Sequence, residues 1–332
     1  MFRIRFLLVG IVLLGLAGGA SAEILQLEYK WGPIVVGTGT QSAYYLNDSV
    51  VAGNVIGARI SYGPYEQSRD GTVINELSTS PTATAKSAVR VGDYVYFSGN
   101  EGGMYRTQVS NTATPWSTFS QVTVTNEDKL ETIVTDGTYI YGSSTAEGDQ
   151  IRAFSVDPGT GALTQIWSTS GIAGRVRGLD WHESGYLYAV DGGGPAENAV
   201  GNTAQMYAID AAIGQTFDMG AVTFNGRQYQ TIREGNRVFV FDSYTGAVAP
   251  SGQVYIYHLA TDTSLVSTTP AAVFDPDEIG RIFGAAIDGN FVWLAGVSGQ
   301  TYGFRLVPEP STLLLLTVGG LGLLLRRRRR RS

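Results

Sequence analysis

Five short aromatic stretches recur along the chain, each opening with a turn that contains Gly, Asp or Asn. They are GDYVYF at 92–97, DGTYIY at 136–141, SGYLYA at 184–189, GNRVFV at 235–240 and DGNFVW at 288–293. Alternating aromatic and β-branched residues after such turns are typical of half-buried strands. After a polar loop, each stretch is followed by a second strand-like segment, at 103–106, 150–154, 204–209, 253–257 and 300–304. The pattern predicts an all-β body made of repeated units, each with a first and a second strand.

The spacing of these units indicates how they pack. Successive turns lie about 43 to 54 residues apart, which is the length of a four-stranded propeller blade. Blades packed around an axis cover each other's faces and leave only short edges. We therefore expect a β-propeller of five to seven blades, six favoured, with the sixth drawn from the divergent stretch 24–76. The repeats resemble YVTN and NHL-like propellers without a diagnostic motif of either, and a pair of β-sandwiches or a solenoid is the rival architecture.

Composition limits the kinds of function open to this chain. Its 332 residues include no cysteine, which excludes a disulfide scaffold, a thiolate zinc site, a Cys nucleophile and a lipoprotein anchor. Between its two terminal segments the chain has 15 basic and 28 acidic residues, a net charge of −13. An acidic body repels phosphates, so no nucleic-acid partner is expected. The same charge keeps an exported domain soluble.

The N-terminal segment, residues 1–22, has the three parts of a secretory signal peptide. Arg3 and Arg5 are its positive start, residues 6–17 are apolar, and Ala20 and Ala22 form a small-residue cleavage site. We expect signal peptidase to cut here, so that the mature chain begins at Glu23. A retained helical anchor is the alternative.

The C-terminal segment, residues 307–332, also has three parts. A motif at 307–311 contains Pro308, Glu309 and Pro310, and an apolar run follows at 312–325. Prolines around one glutamate predict an extended, accessible segment. The apolar run of 14 residues would be about 21 Å long as a helix, short for a hydrocarbon core of about 30 Å. The third part is an arginine block that would stay on the cytoplasmic side and stop translocation: Arg326, Arg327, Arg328, Arg329, Arg330 and Arg331.

Residues 307–332 resemble the PEP-CTERM sorting signal, in which a Pro-Glu-Pro motif precedes a short hydrophobic helix and an arginine-rich tail. The resemblance implies processing by an exosortase, a membrane-embedded cysteine-dependent enzyme, with Pro308, Glu309 and Pro310 as the residues that it recognises. It also implies a Gram-negative host that often produces exopolysaccharide. A plain C-terminal tail anchor is the alternative. The resemblance does not extend to the body, residues 23–306.

The sequence favours a body without catalytic chemistry, although enzymatic activity stays open. The chain has only two histidines. His182 lies beside Asp180 and Glu183, and a turn ending in a solvated histidine is the simpler interpretation of that cluster. His258 is expected at the surface. The glycine-rich loop after Asp191 has an oxygen-rich composition that would suit Ca²⁺, yet it lacks the spacing of a calcium repeat. We assign no catalytic residue, no metal ligand and no cofactor.

The remaining polar and aromatic candidates have structural explanations. Acidic residues in turns, such as Asp136 and Asp288, stabilise the backbone through side-chain hydrogen bonds. Tyrosines and tryptophans could stack on sugars, but most tyrosines lie in predicted strands, where packing explains them.

The sequence thus predicts an exported protein that crosses the inner membrane in transit and reaches the cell surface, the outer envelope or the extracellular matrix. There the propeller would act as a binding or structural module, with exopolysaccharide or other surface proteins as partners. The alternative is a secreted propeller hydrolase or lactonase with carboxylates around the axis and a bound Ca²⁺.

Overall fold

The computed structural model describes residues 23–31, 44–51, 54–59, 63–67, 73–76, 85–99, 103–108, 119–122, 130–144, 151–169, 172, 176–191, 202–224, 227–243, 252–275, 279, 282–296 and 301–308. Before residue 86, side chains are described only at 64–66. The chain comprises two units, Leu27–Arg305 and a second formed by Met1–Gln26 with Leu306–Ser332. Of the second unit, only residues 23–26 and 306–308 are described.

Every element that the structure describes is a β-strand, and five sheets are built from consecutive strands. Blade 1 contains β2 (Tyr44–Val51), β3 (Asn54–Arg59), β4 (Gly63–Gln67) and β5 (Val73–Glu76). Blade 2 contains β6 (Ala85–Val91), β7 (Tyr94–Gly99), β8 (Met104–Gln108) and β9 (Ser120–Val122). Blade 3 contains β10 (Leu130–Thr135), β11 (Tyr139–Ser144), β12 (Ile151–Val156) and β13 (Leu163–Ser168).

Blades 4 and 5 continue this order. Blade 4 contains β14 (Val176–His182), β15 (Tyr186–Asp191), β16 (Asn202–Asp210) and β17 (Thr216–Phe224). Blade 5 contains β18 (Arg227–Glu234), β19 (Arg237–Ser243), β20 (Val254–Thr261), β21 (Ser264–Leu265) and β22 (Ala272–Phe274), with β21 and β22 both paired to β20.

A sixth sheet, the closing sheet, joins strands from both ends of the chain. Its order is β1 (Glu23–Trp31), β25 (Thr301–Pro308), β24 (Phe291–Gly296) and β23 (Ile282–Asp288). The stretch 24–76 is therefore divided, because β1 belongs to the closing sheet and only β2 to β5 form blade 1. A blade is thus drawn from this stretch, as expected, and the stretch also supplies one strand of the closing sheet.

The sheets are arranged as a β-propeller. One strand of each sheet, its innermost strand, contacts the innermost strand of the next sheet, in the order β2, β6, β10, β14, β18, β23 and back to β2. In blades 1 to 5 this is the first strand in chain order, and in the closing sheet it is β23. The all-β propeller predicted from the repeats is confirmed, and the sandwich and solenoid alternatives are not.

The aromatic stretches are the second strands of their blades. GDYVYF at 92–97, for example, contains the turn after β6 and most of β7. The innermost strands precede these turns. Three of them, β6, β14 and β23, carry small residues such as Ala88, Gly178 and Ala285, which suit strands that another backbone approaches closely. The predicted repeats therefore begin one strand too late.

The innermost strands approach one another closely. Each of β6, β10, β14, β18 and β23 has a β-bulge near its start, where its register with the following strand shifts. Just after the bulge of β14, a Cβ atom on Gly178 would lie 2.5 Å from the Cα atom of Gln230 and 2.5 Å from the Thr231 nitrogen on β18. Only glycine lets these two backbones lie this close.

Buried polar side chains join neighbouring innermost strands. The Ile133 N–H donates to the Ser87 hydroxyl over 2.7 Å, and that hydroxyl donates to the Ile133 carbonyl over 3.2 Å. In blades 4 and 5 the Arg233 N–H donates to a carboxylate oxygen of Asp180 over 2.7 Å. Side chains of one blade thus bond backbone groups of the next blade across the seam.

An aromatic hydrogen-bond donor crosses each of three successive blade interfaces. The Tyr96 hydroxyl donates to the Gly161 carbonyl over 2.8 Å, the Trp167 N–H to the Ala211 carbonyl over 3.0 Å, and the Tyr188 hydroxyl to the Asp262 carbonyl over 2.9 Å. Each acceptor lies in or next to the turn after the third strand of the following blade. Tyr96 and Tyr188 are fully buried, so these tyrosines are packing residues, as expected from their strand positions.

The two predicted processing sites lie next to strand ends. The strand β1 begins at Glu23, the predicted mature N-terminus, whereas residues 1–22 lie outside the described residues. The strand β25 ends at Pro308. The first proline of the motif is thus the last residue of a strand, whereas the sequence predicts that the motif lies beyond any strand. A proline here costs at most the single ladder hydrogen bond that its missing N–H would donate.

Replacing Tyr188 with Phe should lower the free energy of unfolding by about 1–2 kcal/mol, because it removes the donor and leaves the Asp262 carbonyl without that bond. Tyr96→Phe should lower the free energy of unfolding by a similar amount, because it removes the donor to the Gly161 carbonyl. Tyr139→Phe is the matched control, since Tyr139 is 38% exposed, and it should change stability by less than about 0.5 kcal/mol. Urea unfolding followed by tryptophan fluorescence measures all three, and equal losses for Tyr139 and Tyr188 would contradict this account.

Gly178→Ala should lower the free energy of unfolding by about 3 kcal/mol, because its methyl group would overlap the backbone of β18. Gly159→Ala is the control, since a Cβ atom there meets only a carboxylate oxygen of Asp157 at 3.5 Å. Thermal unfolding of both variants tests the prediction, which fails if Gly178→Ala is as stable as Gly159→Ala.

Candidate functional site

An open cavity lies where the first turns of blades 4 and 5 meet. Its volume is about 640 Å³, within the size range of small-ligand pockets. Its lining comes from the ends of β14 and β18 and the turns that follow them: Trp181, His182, Glu183, Arg233, Glu234, Gly235 and Asn236.

Arg233 is the buried centre of this region. Its Nε–H donates to the Gly235 carbonyl over 2.9 Å, and its Nη1 donates to the hydroxyls of Ser184, over 2.8 Å, and Tyr188. Its Nη2 lies 2.7 Å from a carboxylate oxygen of Asp262. The guanidinium also lies over the Tyr188 ring, 4.9 Å from the centroid. The group links both blades and three turns, those after β14, β18 and β20.

His182 forms a local turn with Ser184. The Ser184 N–H donates to Nδ1 of the ring over 3.1 Å, and the Ser184 hydroxyl lies 3.0 Å from the same nitrogen. Since Nδ1 accepts, the neutral ring carries its proton on Nε2. Burial first, and then the positive charge of Arg233, lower the pKa of His182. The ring is therefore neutral at pH 7, half-buried, and able to donate through Nε2.

Two glutamates supply negative charge. Burial raises the pKa of Glu234, Glu183 raises it further, and Arg237 opposes the shift. Glu183 is exposed in the turn after β14. The two carboxylates come from adjacent blades and are close enough to repel each other.

Tyr188 stays protonated at this site. Burial raises its pKa to about 12, although Arg233 acts in the opposite direction. Its hydroxyl donates to the Asp262 carbonyl, so a proton on Tyr188 is part of the blade interface. The residue is structural and not an acid–base group.

The structure separates the residues of the predicted His182 cluster. Asp180 is buried and accepts from the Arg233 N–H, while Glu183 lies beyond the strand. His182 contacts Ser184 and is half-buried, so the turn is confirmed but the ring is less solvated than expected. His258 is also half-buried, in β20, and not a fully exposed surface residue.

Acidic residues in turns act as expected where the structure describes them. A carboxylate oxygen of Asp136 accepts from the N–H groups of Thr138, over 2.7 Å, and Tyr139, over 2.6 Å. Two acids near the ends of second strands, Asp191 of β15 and Asp242 of β19, accept from the backbone N–H groups of Gln205 and Gln253. Within the described ranges, no three His, Asp or Glu side chains lie close enough to hold a metal ion. The glycine-rich loop after Asp191 lies outside those ranges.

Comparison with known families concerns the C-terminal segment. A family model described as the PEP-CTERM protein-sorting motif matches residues 306–330. The chain carries a PEP-CTERM sorting motif. This motif implies an exported protein that transits the membrane, is processed by an exosortase and then associates with the surface. The part of the chain that the structure describes has no helix of the length and hydrophobicity needed to cross a membrane, and the apolar run at 312–325 lies outside it.

Solved structures share the fold of the body. A chain of the mitotic checkpoint complex has a TM-score of 0.54 at 12% identity, covering 86% of this chain and 94% of that one. Virginiamycin B lyase from Staphylococcus aureus has a TM-score of 0.52 at 12% identity, covering 86% and 100%. No curated protein matches the sequence. Such low identities show the fold alone.

Stability should depend on pH through His182. Because its pKa is lower in the folded protein than the ordinary value of 6.5, the unfolded chain binds the proton more readily. The stability that the folded protein gains from a neutral His182 ring is present in full above pH 6.5. It is lost as the pH falls through the folded pKa of His182. The melting temperature of His182→Gln should therefore fall less than that of the parent when the pH is lowered from neutral to mildly acidic. An identical change of melting temperature with pH in His182→Gln and in the parent would contradict the assignment.

Proposed function

We propose that this protein is a binding or structural module of the cell envelope or exopolysaccharide matrix, delivered there through its sorting motif. The observation that carries the proposal is the PEP-CTERM match at residues 306–330, which begins within β25 (Thr301–Pro308) of the propeller body. In this proposal signal peptidase removes residues 1–22, an exosortase recognises Pro308, Glu309 and Pro310, and the arginine block stops translocation.

Two features of the body support a role in binding or structure. Its buried tyrosines and its buried arginine, Arg233, hold blades together. At the cavity, the Ser184 N–H donates to the ring of His182. The buried carboxylate of Asp180 accepts from the Arg233 N–H and not from the histidine ring. These contacts position turns and seams. The hydrolase alternative receives no support from the residues at this cavity.

Replacing Pro308, Glu309 and Pro310 with alanine should leave export intact and block C-terminal processing. In the parent, the mass of protein recovered from the host's envelope and medium should lack residues 1–22 and the region after about residue 310. The triple variant should lack only residues 1–22. Thr312→Ala with Thr317→Ala is the matched control, because it changes two residues after the motif, and it should be processed like the parent. Normal processing and localisation of the triple variant would overturn the sorting proposal.

A further inference from the structure

The cavity between the turns of blades 4 and 5 has a composition that selects for one kind of ligand, an inference that rests on the binding role proposed above. Its charged side chains are Glu183, Glu234 and Arg233. Whether the cavity attracts cations or anions depends on how much of the Arg233 charge is left for a ligand.

The guanidinium of Arg233 is already paired and hydrogen-bonded within the protein. One side of the guanidinium pairs with Asp262 at 2.7 Å, and the remaining described contacts go to Gly235, Ser184 and Tyr188. A buried guanidinium with these partners has little to offer an incoming anion. Phosphate, sulfate and uronic acids are therefore poor ligands.

The carboxylates of Glu183 and Glu234 remain available to bind a positively charged ligand. Among the described residues, no hydrogen bond or ion pair engages the carboxylate of Glu183 or of Glu234. Arg237, the nearest cation that lowers the pKa of Glu234, does not line the cavity. A cation placed between two like charges relieves their repulsion and favours the ionised form of both.

The other lining residues favour a polyhydroxylated ligand over a bare ion. His182 offers its Nε2–H, and Asn236 is exposed and offers both donor and acceptor groups. Trp181 is half-buried against the cluster between blades 3 and 4, and an aromatic wall supplies apolar contact for a sugar ring. The described residues hold no metal-binding group of three acids or imidazoles.

We propose that this cavity binds an amino sugar of a polysaccharide, with the ammonium group between Glu183 and Glu234 and the hydroxyl groups against His182 and Asn236. The neutral hydroxyls and the positive amine together match the lining. An N-acetylated sugar would lose the charge and add bulk where the carboxylates meet.

The experiment is calorimetric titration of the mature protein, purified from its host, with two matched tetrasaccharides. One is made of glucosamine and the other of N-acetylglucosamine. The glucosamine tetrasaccharide should bind at least about tenfold more tightly, the change that a lost charge pair produces. Glu183→Gln and Glu234→Gln should each weaken its binding by a similar factor. Asp93→Asn, at an exposed acid in the corresponding turn of blade 2, should bind like the parent.

Equal binding of the two tetrasaccharides, binding of neither, or affinity unchanged in both Gln variants would overturn the proposal. A lysine tripeptide that binds more tightly than the glucosamine tetrasaccharide would overturn the sugar assignment. Melting temperatures of the variants show whether a loss of binding reflects unfolding. None of these results bears on C-terminal processing, so the sorting experiment still decides the proposed delivery to the envelope.

Discussion

The propeller depends on satisfying polar groups at the seams between blades. A single four-stranded sheet leaves backbone groups at its edges and turns without partners, and burying them against another sheet costs free energy unless each one is paired. Here side chains from one blade reach the backbone of the next: Ser87 to Ile133, Asp180 to Arg233, and Tyr188 to Asp262. These pairs offset part of that cost where the blades pack against each other.

The same seams explain where the cavity lies. At the interface of blades 4 and 5, Arg233 replaces simple packing with a charged centre, joined to Asp262, Ser184 and Tyr188. Holding a guanidinium in place requires several acceptors, and these draw the turns of both blades toward it. The adjacent side chains, Glu183 and Glu234 among them, are left facing open space. A structural requirement thus creates a recess with its own charge.

Much of the fold could be predicted because turn glycines and aromatic strands leave a strong local signal. The second strands were found at 92–97 and 136–141, and their period gave the architecture. The innermost strands were missed since their small residues, such as Ala88 and Gly178, are selected by contacts with other blades and not by strand propensity. The candidate site was harder still. His182 was visible in the sequence, but Arg233, the buried centre of the cavity region, is 51 residues away, and no local pattern links them.

The position of β25 also has a mechanical meaning. It lies between β1 and β24 in the closing sheet, with an antiparallel register that pairs Phe291 with Arg305 and Ala295 with Thr301 on the β24 side. A pull applied along the strand from its C-terminal end would act on two rows of hydrogen bonds in shear, and many bonds would have to break together. An edge strand would instead share the force with a single neighbour. The chain thus leaves the propeller through one of the attachments best suited to resist tension.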